Sequence, residues 1–500
     1  MKDKEFDCFF REQARYTQTE IGKKLLGKEI TNEPLTETEE KRIVALIKRL
    51  KEFGVIKRVK KDAVDLQEID NDDYSVAPVV LGDTESLYAF CFVGVLWVNE
   101  FIIKCYPKYI RNNETPVGDF KEVLQVIKHY NHKKENVIHL QNDGLESSAF
   151  NMLALMLYFL NDYYQNGIYS NAQEIIETNG TGEILWDKTI NETFAYIQNN
   201  RPFYMELKTR KRINDETGFF SRLHQCILSE CSRKLEGKGL FDIFDDIAPI
   251  EFDESTLEDF GDREYLSYRI ERELGVQYNS RKRLLLQSMY AYINNEKSVD
   301  TNEHFSMFGT TAYHTIWEDV CKKVLCDMLG EPIKSVFKSY VGGETFKEHI
   351  KKPTWNGIEA KDTLIPDIVT FYNYNGQNAF AIFDAKYYDV QIGNNSISGQ
   401  PGIESITKQY LYELAYKDLI PDVWGNPNPI KVYNAFIFPS ETVTKENGVE
   451  RKGDVEFSIM KRLNLQKIKI VFVNPKSFYD KYLAGETALE DIVKQITPQN

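Results

Sequence analysis

The sequence predicts an α/β domain over residues 300–500, joined to α+β amino-terminal and middle regions. Two observations favour the α/β domain. Helix-like apolar spacing over 312–329 is followed by two strand-like segments, a helix over 403–419 and a further strand over 430–438. Asn375-Gly376, the pair favoured by two-residue hairpin turns, lies between the strand-like segments 364–372 and 379–387. A helix, strands, a helix and a strand in this order are typical of a sheet covered by helices, with its acidic residues near one edge.

At roughly 150 residues per domain, 500 residues predict about three domains. Within residues 1–80, a helix followed by Gly54, the strand-like 55–59 and basic residues outlines a winged helix. A solvated basic helix packed on its neighbour is an equally valid interpretation. DNA reading by residues 1–80 is therefore one of two alternatives.

Residues 81–120 are rich in aromatic and β-branched residues, which predicts strands around a turn at Asn99-Glu100. We expect Pro107-Lys108 to lie in an exposed turn and this β-rich subdomain to dock a partner protein. The alternative is that it only packs against the middle region. Residues 121–299 are predicted to be mostly helical and include an acidic strip, 242–264, suited to a hinge or to an interface for a basic partner.

Composition limits the classes of function. Lys and Arg total 62 against 76 Asp and Glu, so the net charge of -14 repels nucleic acid and any DNA binding must be local. The cysteines form no C-x-x-C pair. The longest apolar stretch, 152–160, is about half the length of a membrane span, and the charged start lacks a signal-peptide core. We therefore expect a cytoplasmic protein without membrane contact.

The hairpin permits a test of where two acids lie. If Asn375 and Gly376 occupy the turn, Tyr374 pairs with Gln377, and the same register places Asp367 opposite Asp384. Opposed residues point to one face with Cβ atoms roughly 4.5–5.5 Å apart, where like charges repel unless a cation binds them. The two-residue period of a strand puts Lys386 on the same face as Asp384.

Two carboxylates that share a hard cation beside one ammonium are suited to phosphodiester hydrolysis. We expect Mg²⁺ as the cofactor, with Mn²⁺ as a substitute, and Asp367, Asp384 and Lys386 as the central residues. Glu318, at the edge of the apolar stripe of the helix 312–329, can reach the same cluster. An Asp followed by Asp-x-Lys is common by chance, so the prediction depends on the agreement of Pro366, the hairpin register and Glu318.

Pro366-Asp367 with Asp384-Ala385-Lys386 resembles the signature of the PD-(D/E)xK nuclease superfamily, and Gln409-x-x-Tyr412 resembles a helical motif of its RecB-like branch. The resemblance implies that Asp367, Asp384 and Lys386 are catalytic and that Glu318 is an accessory metal ligand. It also implies that Gln409 and Tyr412 shape the site or touch DNA.

Over about residues 85–490, the chain also resembles the LlaJI-type restriction endonucleases and the related McrC subunits. The segments that carry this resemblance are 92–95, 107–109, 182–190 and 384–387. It implies a DNA endonuclease subunit of a bacterial restriction system that defends against phage.

The sequence contains no G-x-x-x-x-G-K-[ST] motif, so we expect this chain to bind no nucleotide. The resemblance implies that a separate McrB-like AAA+ GTPase supplies DNA recognition and translocation, and double-strand cleavage is compatible with a dimer. Two alternatives remain: a self-sufficient, sequence-specific restriction enzyme, and a catalytically idle scaffold that binds DNA or activates the GTPase.

Overall fold

The fold is described from a computed structural model that covers residues 8–28, 34–59, 74–75, 86–113, 115–132, 151–170, 173–213, 218–252, 254–295, 304–338, 340–393, 395–417, 419 and 430–497. These residues form two compact units, one from 1–136 and 307–500 and the other from 149–306. The predicted regions 1–80, 81–120 and 300–500 fall almost entirely within one of these units, and their division into separate domains stays a prediction. Among the residues described, no helix is both long and apolar enough to cross a membrane.

The amino-terminal part of the first unit contains two sheets. Its elements are β1 (Phe9–Arg11), β2 (Arg15–Thr17), α1 (Gln18–Leu26), α2 (Glu37–Glu52), β3 (Ile56–Val59), β4 (Tyr74–Ser75), β5 (Leu87–Phe90), β6 (Val93–Val98), β7 (Phe101–Tyr106) and α3 (Val117–His132). Strand β1 pairs in parallel with β7, which pairs with β6, and the second sheet has the order β2-β5-β3-β4. Thr17 and Thr36 begin α1 and α2 with capping boxes.

The helix and strand predicted within 36–59 are confirmed as α2 and β3. The basic residues Lys60 and Lys61 lie outside the described residues. The turn at Asn99-Glu100 is also confirmed, because Val98 pairs with Phe101 and Asn99 has a φ of 53°.

The expected exposed turn at Pro107-Lys108 is wrong. Pro107 is buried and Lys108 is only 6% exposed, because this segment packs within the first unit rather than facing solvent. The reason for placing partner docking there is thereby removed, although docking itself stays a prediction.

The second unit combines packed helices with short strands. Its elements are α4 (Met152–Asn166), β8 (Gln173–Thr178), β9 (Glu183–Ile184), α5 (Trp186–Glu192), β10 (Ala195–Gln198), β11 (Arg201–Tyr204), β12 (Lys208–Ile213), α6 (Phe219–Glu236), α7 (Arg263–Val276) and α8 (Ser280–Asn295). The mostly helical prediction for 121–299 misses the strands of 173–213. Local turns explain them: Asn199 and Asn200, both at positive φ, close the β10–β11 hairpin. The acidic strip forms two short 3-10 helices, Leu240–Asp242 and Leu257–Phe260, rather than a long element.

Strand β13 (Phe305–Thr310) leads into the carboxy-terminal part of the first unit. The elements that follow are α9 (Tyr313–Val324), α10 (Ile333–Val336), α11 (Phe346–His349), β14 (Thr354–Trp355), β15 (Ile358–Glu359), β16 (Ile368–Tyr374), β17 (Gln377–Ala385), β18 (Gln391–Ile392), β19 (Ile397–Ser398), α12 (Ile403–Tyr416), β20 (Lys431–Pro439), β21 (Val449–Val455), β22 (Ile468–Val473), α13 (Pro475–Ala484) and α14 (Leu489–Ile496). The principal sheet has the order β16-β17-β20-β22-β21, with β17, β20 and β22 parallel.

The mixed α/β character of the carboxy-terminal part is confirmed. Helix α9 ends at Val324 rather than at Leu329, because Cys326 adopts a left-handed conformation (φ 56°) and the chain turns towards β16. There Met328 N–H donates to the Val369 carbonyl at 2.7 Å. This bond covers part of the open edge of the sheet.

Candidate active site

The β16–β17 hairpin brings together the two acids predicted from the sequence. Asn375 and Gly376 both have positive φ, Tyr374 pairs with Gln377, and the register continues to Ile368 opposite Phe383. Asp367 and Asp384 are the next residues in this register. Asp367 contributes both a hydrogen bond and a negative charge to the causes that raise the pKa of Asp384, which places the two carboxyl groups near each other.

Lys386 completes the cluster. Its Nζ lies 3.0 Å from Oδ2 of Asp384, and its side chain is 23% exposed whereas that of Asp384 is 7% exposed. The lysine side chain is therefore partly exposed, while the acid with which it pairs is buried.

Burial raises the pKa of Asp384 well above its ordinary value near 3.8, and the hydrogen bond and negative charge of Asp367 raise it further. The ammonium of Lys386 acts in the opposite direction. Together these influences leave the pKa of Asp384 raised, so its carboxyl group ionises less readily than that of a free aspartic acid.

Backbone N–H groups fix two neighbouring carboxylates. Oδ2 of Asp367 accepts a hydrogen bond from Ala385 N–H at 2.9 Å, which ties it to the end of β17. Oδ1 of Asp327 accepts hydrogen bonds from the N–H groups of Val369 and Leu329, both at 3.0 Å. The sequence analysis missed Asp327, because this residue lies inside the predicted helix 312–329, whereas the observed helix α9 ends before it.

Glu318 lies near the pair without joining it. Burial raises its pKa, the charge of Asp367 raises it further, and Lys322 and Lys386 lower it. Oε2 of Glu318 forms an ion pair with Nζ of Lys322, at 3.8 Å. These interactions place Glu318 within electrostatic reach of Asp367 and Lys386.

The motif residues of α12 are buried beside the hairpin. Gln409 is fully buried, and its Nε2 donates to the Ile382 carbonyl at 3.2 Å and to Oδ1 of Asn434 at 2.5 Å. The amide nitrogen of Gln409 is therefore bound to the sheet, which favours the alternative that Gln409 shapes the site, while contact with DNA stays a prediction. Tyr412 is 8% exposed, and the charges of Asp384 and Asp367 contribute to raising its pKa. It shapes the wall of the site.

The carboxyl groups of Asp367 and Asp384 fit a hard divalent cation, because two neighbouring carboxyl groups offer the oxygen ligands that such an ion prefers. Within the described part of the chain, no group of three His, Cys, Asp or Glu side chains converges into a metal site. Two carboxylates nevertheless suffice for Mg²⁺, which usually keeps several of its waters.

The hairpin thus ends in two neighbouring acids, one of which pairs with a lysine. Comparison with known proteins shows that the chain is of the restriction endonuclease class. The sequence profile of the LlaJI restriction endonuclease family matches residues 92–476, and the chain belongs to this family. The matched residues include all of the hairpin and its acids.

A curated relative is the "Type II restriction enzyme BsuMI component YdjA" of Bacillus subtilis (strain 168). It is 27% identical over 440 residues, which cover 84% of this chain and 87% of the relative. The chain is thus a component of the endonuclease type found in restriction systems.

Two solved structures show a weaker likeness. One is a half-complex of Thermococcus gammatolerans McrB AAA+ hexamers with bound McrC, with a TM-score of 0.37, 15% identity and coverage of 97% of this chain and 99% of that chain. The other is the Thermococcus gammatolerans McrBC complex, with a TM-score of 0.26, 17% identity and coverage of 64% of this chain and 87% of that chain.

Proposed function

We propose that this chain is the Mg²⁺-dependent DNA endonuclease subunit of a restriction system, built on a PD-(D/E)xK-type domain, and that it acts with a McrB-like GTPase. The observation that carries the proposal is the position of the Lys386 ammonium, 3.0 Å from Oδ2 of Asp384, at the hairpin end where Asp367 raises the pKa of Asp384. A merely structural role for one acid would need neither the second acid nor the ammonium beside it.

Asp367 and Asp384 would hold the cation, with Glu318 reaching it through water. When bound, Mg²⁺ binds phosphate oxygens and lowers the pKa of its water. The ammonium of Lys386 can donate a hydrogen bond to a phosphate oxygen or to the attacking water and offsets negative charge in the transition state. Tyr412 and the buried floor of the hairpin exclude bulk water from Asp384.

The second unit supports the proposal of a protein partner. One face of the β10–β11 hairpin carries apolar side chains that are each more than half exposed, and we call them the hairpin patch: Phe194, Tyr196, Phe203 and Met205. Exposed apolar groups of this kind mark sites of protein interaction. The curated relative is also named a component of a larger enzyme. We therefore place partner docking at the hairpin patch instead of at Phe92 to Tyr109.

Cleavage assays with the full chain test the proposal. Purified chain is incubated with DNA and Mg²⁺, first alone and then with the GTPase and GTP. Wild type and the control Asp362→Asn, which changes an exposed acid, should cut upon addition of the GTPase, whereas Asp384→Asn should not. Cutting by Asp384→Asn at the wild-type rate would place the chemistry elsewhere.

A further inference from the structure

A buried cluster lies directly behind Lys386 and joins it to the amino-terminal sheets of the same unit. Tyr387, the next residue, is 5% exposed, and its hydroxyl donates to the Glu12 carboxylate at 2.5 Å. The Lys108 N–H lies 3.3 Å from both Oε2 of Glu12 and the Tyr387 hydroxyl. The Glu12 carboxylate and the Lys108 backbone N–H, from distant parts of the sequence, thus meet at the Tyr387 hydroxyl.

Glu12 is a fixed anchor. Its own N–H donates to the Tyr106 carbonyl at 2.9 Å, and the N–H of the next residue, Gln13, donates to the Phe90 carbonyl at 2.9 Å. These bonds tie Glu12 to β7 and β5. Burial raises the pKa of Glu12, while the charge of Lys108 and the bond from Tyr387 lower it.

The Lys108 ammonium holds the ring of the same tyrosine. It donates to Oε1 of Gln13 at 3.0 Å and lies 4.7 Å from the ring centroid of Tyr387 and 5.7 Å from that of Tyr388. A cation over an aromatic face in a buried setting is stabilising. Both the hydroxyl and the ring of Tyr387 are therefore held by the amino-terminal sheets.

The position of Lys386 depends on this anchoring. Strand β17 ends at Ala385, and the backbone of Lys386 donates to the Ile437 carbonyl at 3.0 Å before the chain leaves the sheet. The segment immediately beyond is secured by the side chain of Tyr387. A shift of this segment would move Nζ of Lys386 relative to Asp384, and a displacement of about 1 Å can cost on the order of 100-fold in rate.

We infer that Glu12, Lys108 and Tyr387 are positioning residues that aim the Lys386 side chain, so that the amino-terminal sheets supply part of the active centre. The inference rests on the proposed nuclease function for its consequence in catalysis. Its structural content, the aiming of Lys386, is separately measurable. None of the three positioning residues needs to contact DNA or metal.

Kinetics of full-chain variants give the first test. Tyr387→Phe and Glu12→Gln should lower kcat on the order of 10- to 100-fold with KM for DNA within about twofold of wild type. Glu413→Gln is the matched control, because Glu413 is also 6% exposed and accepts the Gln466 N–H, at 2.9 Å. The control should lower thermal stability to a similar degree without lowering kcat. Lys108→Arg should retain more activity than Lys108→Met.

Chemical reactivity of Lys386 gives a test that needs no cleavage. A small amine-acylating reagent is applied to each variant, and Lys386 modification is measured by peptide mass spectrometry relative to Lys351, whose side chain is 72% exposed. Lys386 should react several-fold faster in Tyr387→Phe and Glu12→Gln than in wild type or in Glu413→Gln. If Glu12→Gln fails to fold, Tyr387→Phe, which loses only a hydroxyl, decides.

The two failures are distinguishable. A wild-type chain that never cuts DNA would remove the proposed function, and the reactivity comparison would still judge the positioning cluster. Unchanged Lys386 reactivity in both variants would overturn the inference even if the chain is an active nuclease.

Discussion

Asp384 lies beside Asp367 at the end of the β16–β17 hairpin, and Nζ of Lys386 lies 3.0 Å from Oδ2 of Asp384. Burial, together with the hydrogen bond and the negative charge that Asp367 contributes, raises the pKa of Asp384 well above its ordinary value. The ammonium of Lys386 lowers this pKa without removing the effect. A divalent cation that binds Asp384 must therefore displace a proton wherever this carboxyl group is protonated.

Affinity for Mg²⁺ should consequently rise with pH. Below the raised pKa of Asp384 a cation must displace one proton, so each unit of increase in pH should strengthen Mg²⁺ binding by up to about tenfold. Above that pKa the affinity should no longer change with pH. Isothermal titration calorimetry at several pH values measures the affinity. Binding that is independent of pH would contradict the displacement of a proton from Asp384.

The same pKa has a consequence for the metal-free chain. Because the pKa of Asp384 is raised in the folded state, its favourable contribution is complete below the unfolded-state value and is lost as pH rises through the folded value. Stability should fall over that range, and Mg²⁺ should restore it by binding the native state. Asp384→Asn should flatten the pH dependence in thermal melts.

Asp384→Ala should abolish cleavage, and Lys386→Ala should lower the rate by about 100- to 1,000-fold. We expect melting temperatures in metal-free buffer to stay close to wild type, because the first change removes a carboxyl group whose ionised form is disfavoured by burial and by Asp367, and the second removes a partly exposed side chain. A clear fall in melting temperature in either variant would indicate a structural role for the pair. Cleavage rates and thermal melts of the same preparations measure both.

Glu318→Gln should impair cleavage less than Asp384→Ala. Glu318 is influenced by the charges of Asp367 and Lys386 at a distance, so it can act on a cation through water. Glu359→Gln, at an exposed position, is the matched control for charge removal. A loss equal to that of Asp384→Ala would make Glu318 a direct ligand, and no loss would leave it as a partner of Lys322 only.

The hairpin and its acids could be predicted because their information is local. A two-residue Asn-Gly turn fixes the register of both strands, and that register alone opposes Asp367 and Asp384. Helix α12 and strand β20 were likewise predictable from apolar spacing, within one to three residues of the observed ends.

Long-range packing was not predictable. Lys108 was expected in solvent because lysine usually is, and only the fold shows that Glu12, Gln13 and Tyr387 surround it. Helix α9 was extended too far, since no pattern of apolar residues indicates that Cys326 will adopt positive φ. Gln409 matched a motif, but its buried bonds to Ile382 and Asn434 depend on which strand lies beneath α12.

Substitutions in the hairpin patch of the second unit should weaken the functional coupling between this chain and its GTPase partner. Phe194 and Phe203 are 76% and 58% exposed, so replacing both by Ser removes apolar contact area at little cost to folding. Stimulation of the GTPase and GTP-dependent cleavage should fall at least about tenfold, as expected for the loss of buried aromatic anchors. Basal cleavage in Mn²⁺ should remain. Tyr278→Ser, at a 91% exposed position in the same unit, is the matched control and should change neither activity.

Point variants in the hairpin patch leave residues 1–110 intact. Glu12 and Lys108, which hold the segment next to Lys386, therefore stay in place, whereas a deletion of residues 1–110 would remove them. GTPase assays with the partner and cleavage assays without it separate docking from chemistry. Unaltered stimulation by the double variant would move the docking site elsewhere. Robust site-specific cutting by the isolated wild-type chain without nucleotide would refute delegation to a GTPase and would favour the self-sufficient restriction enzyme.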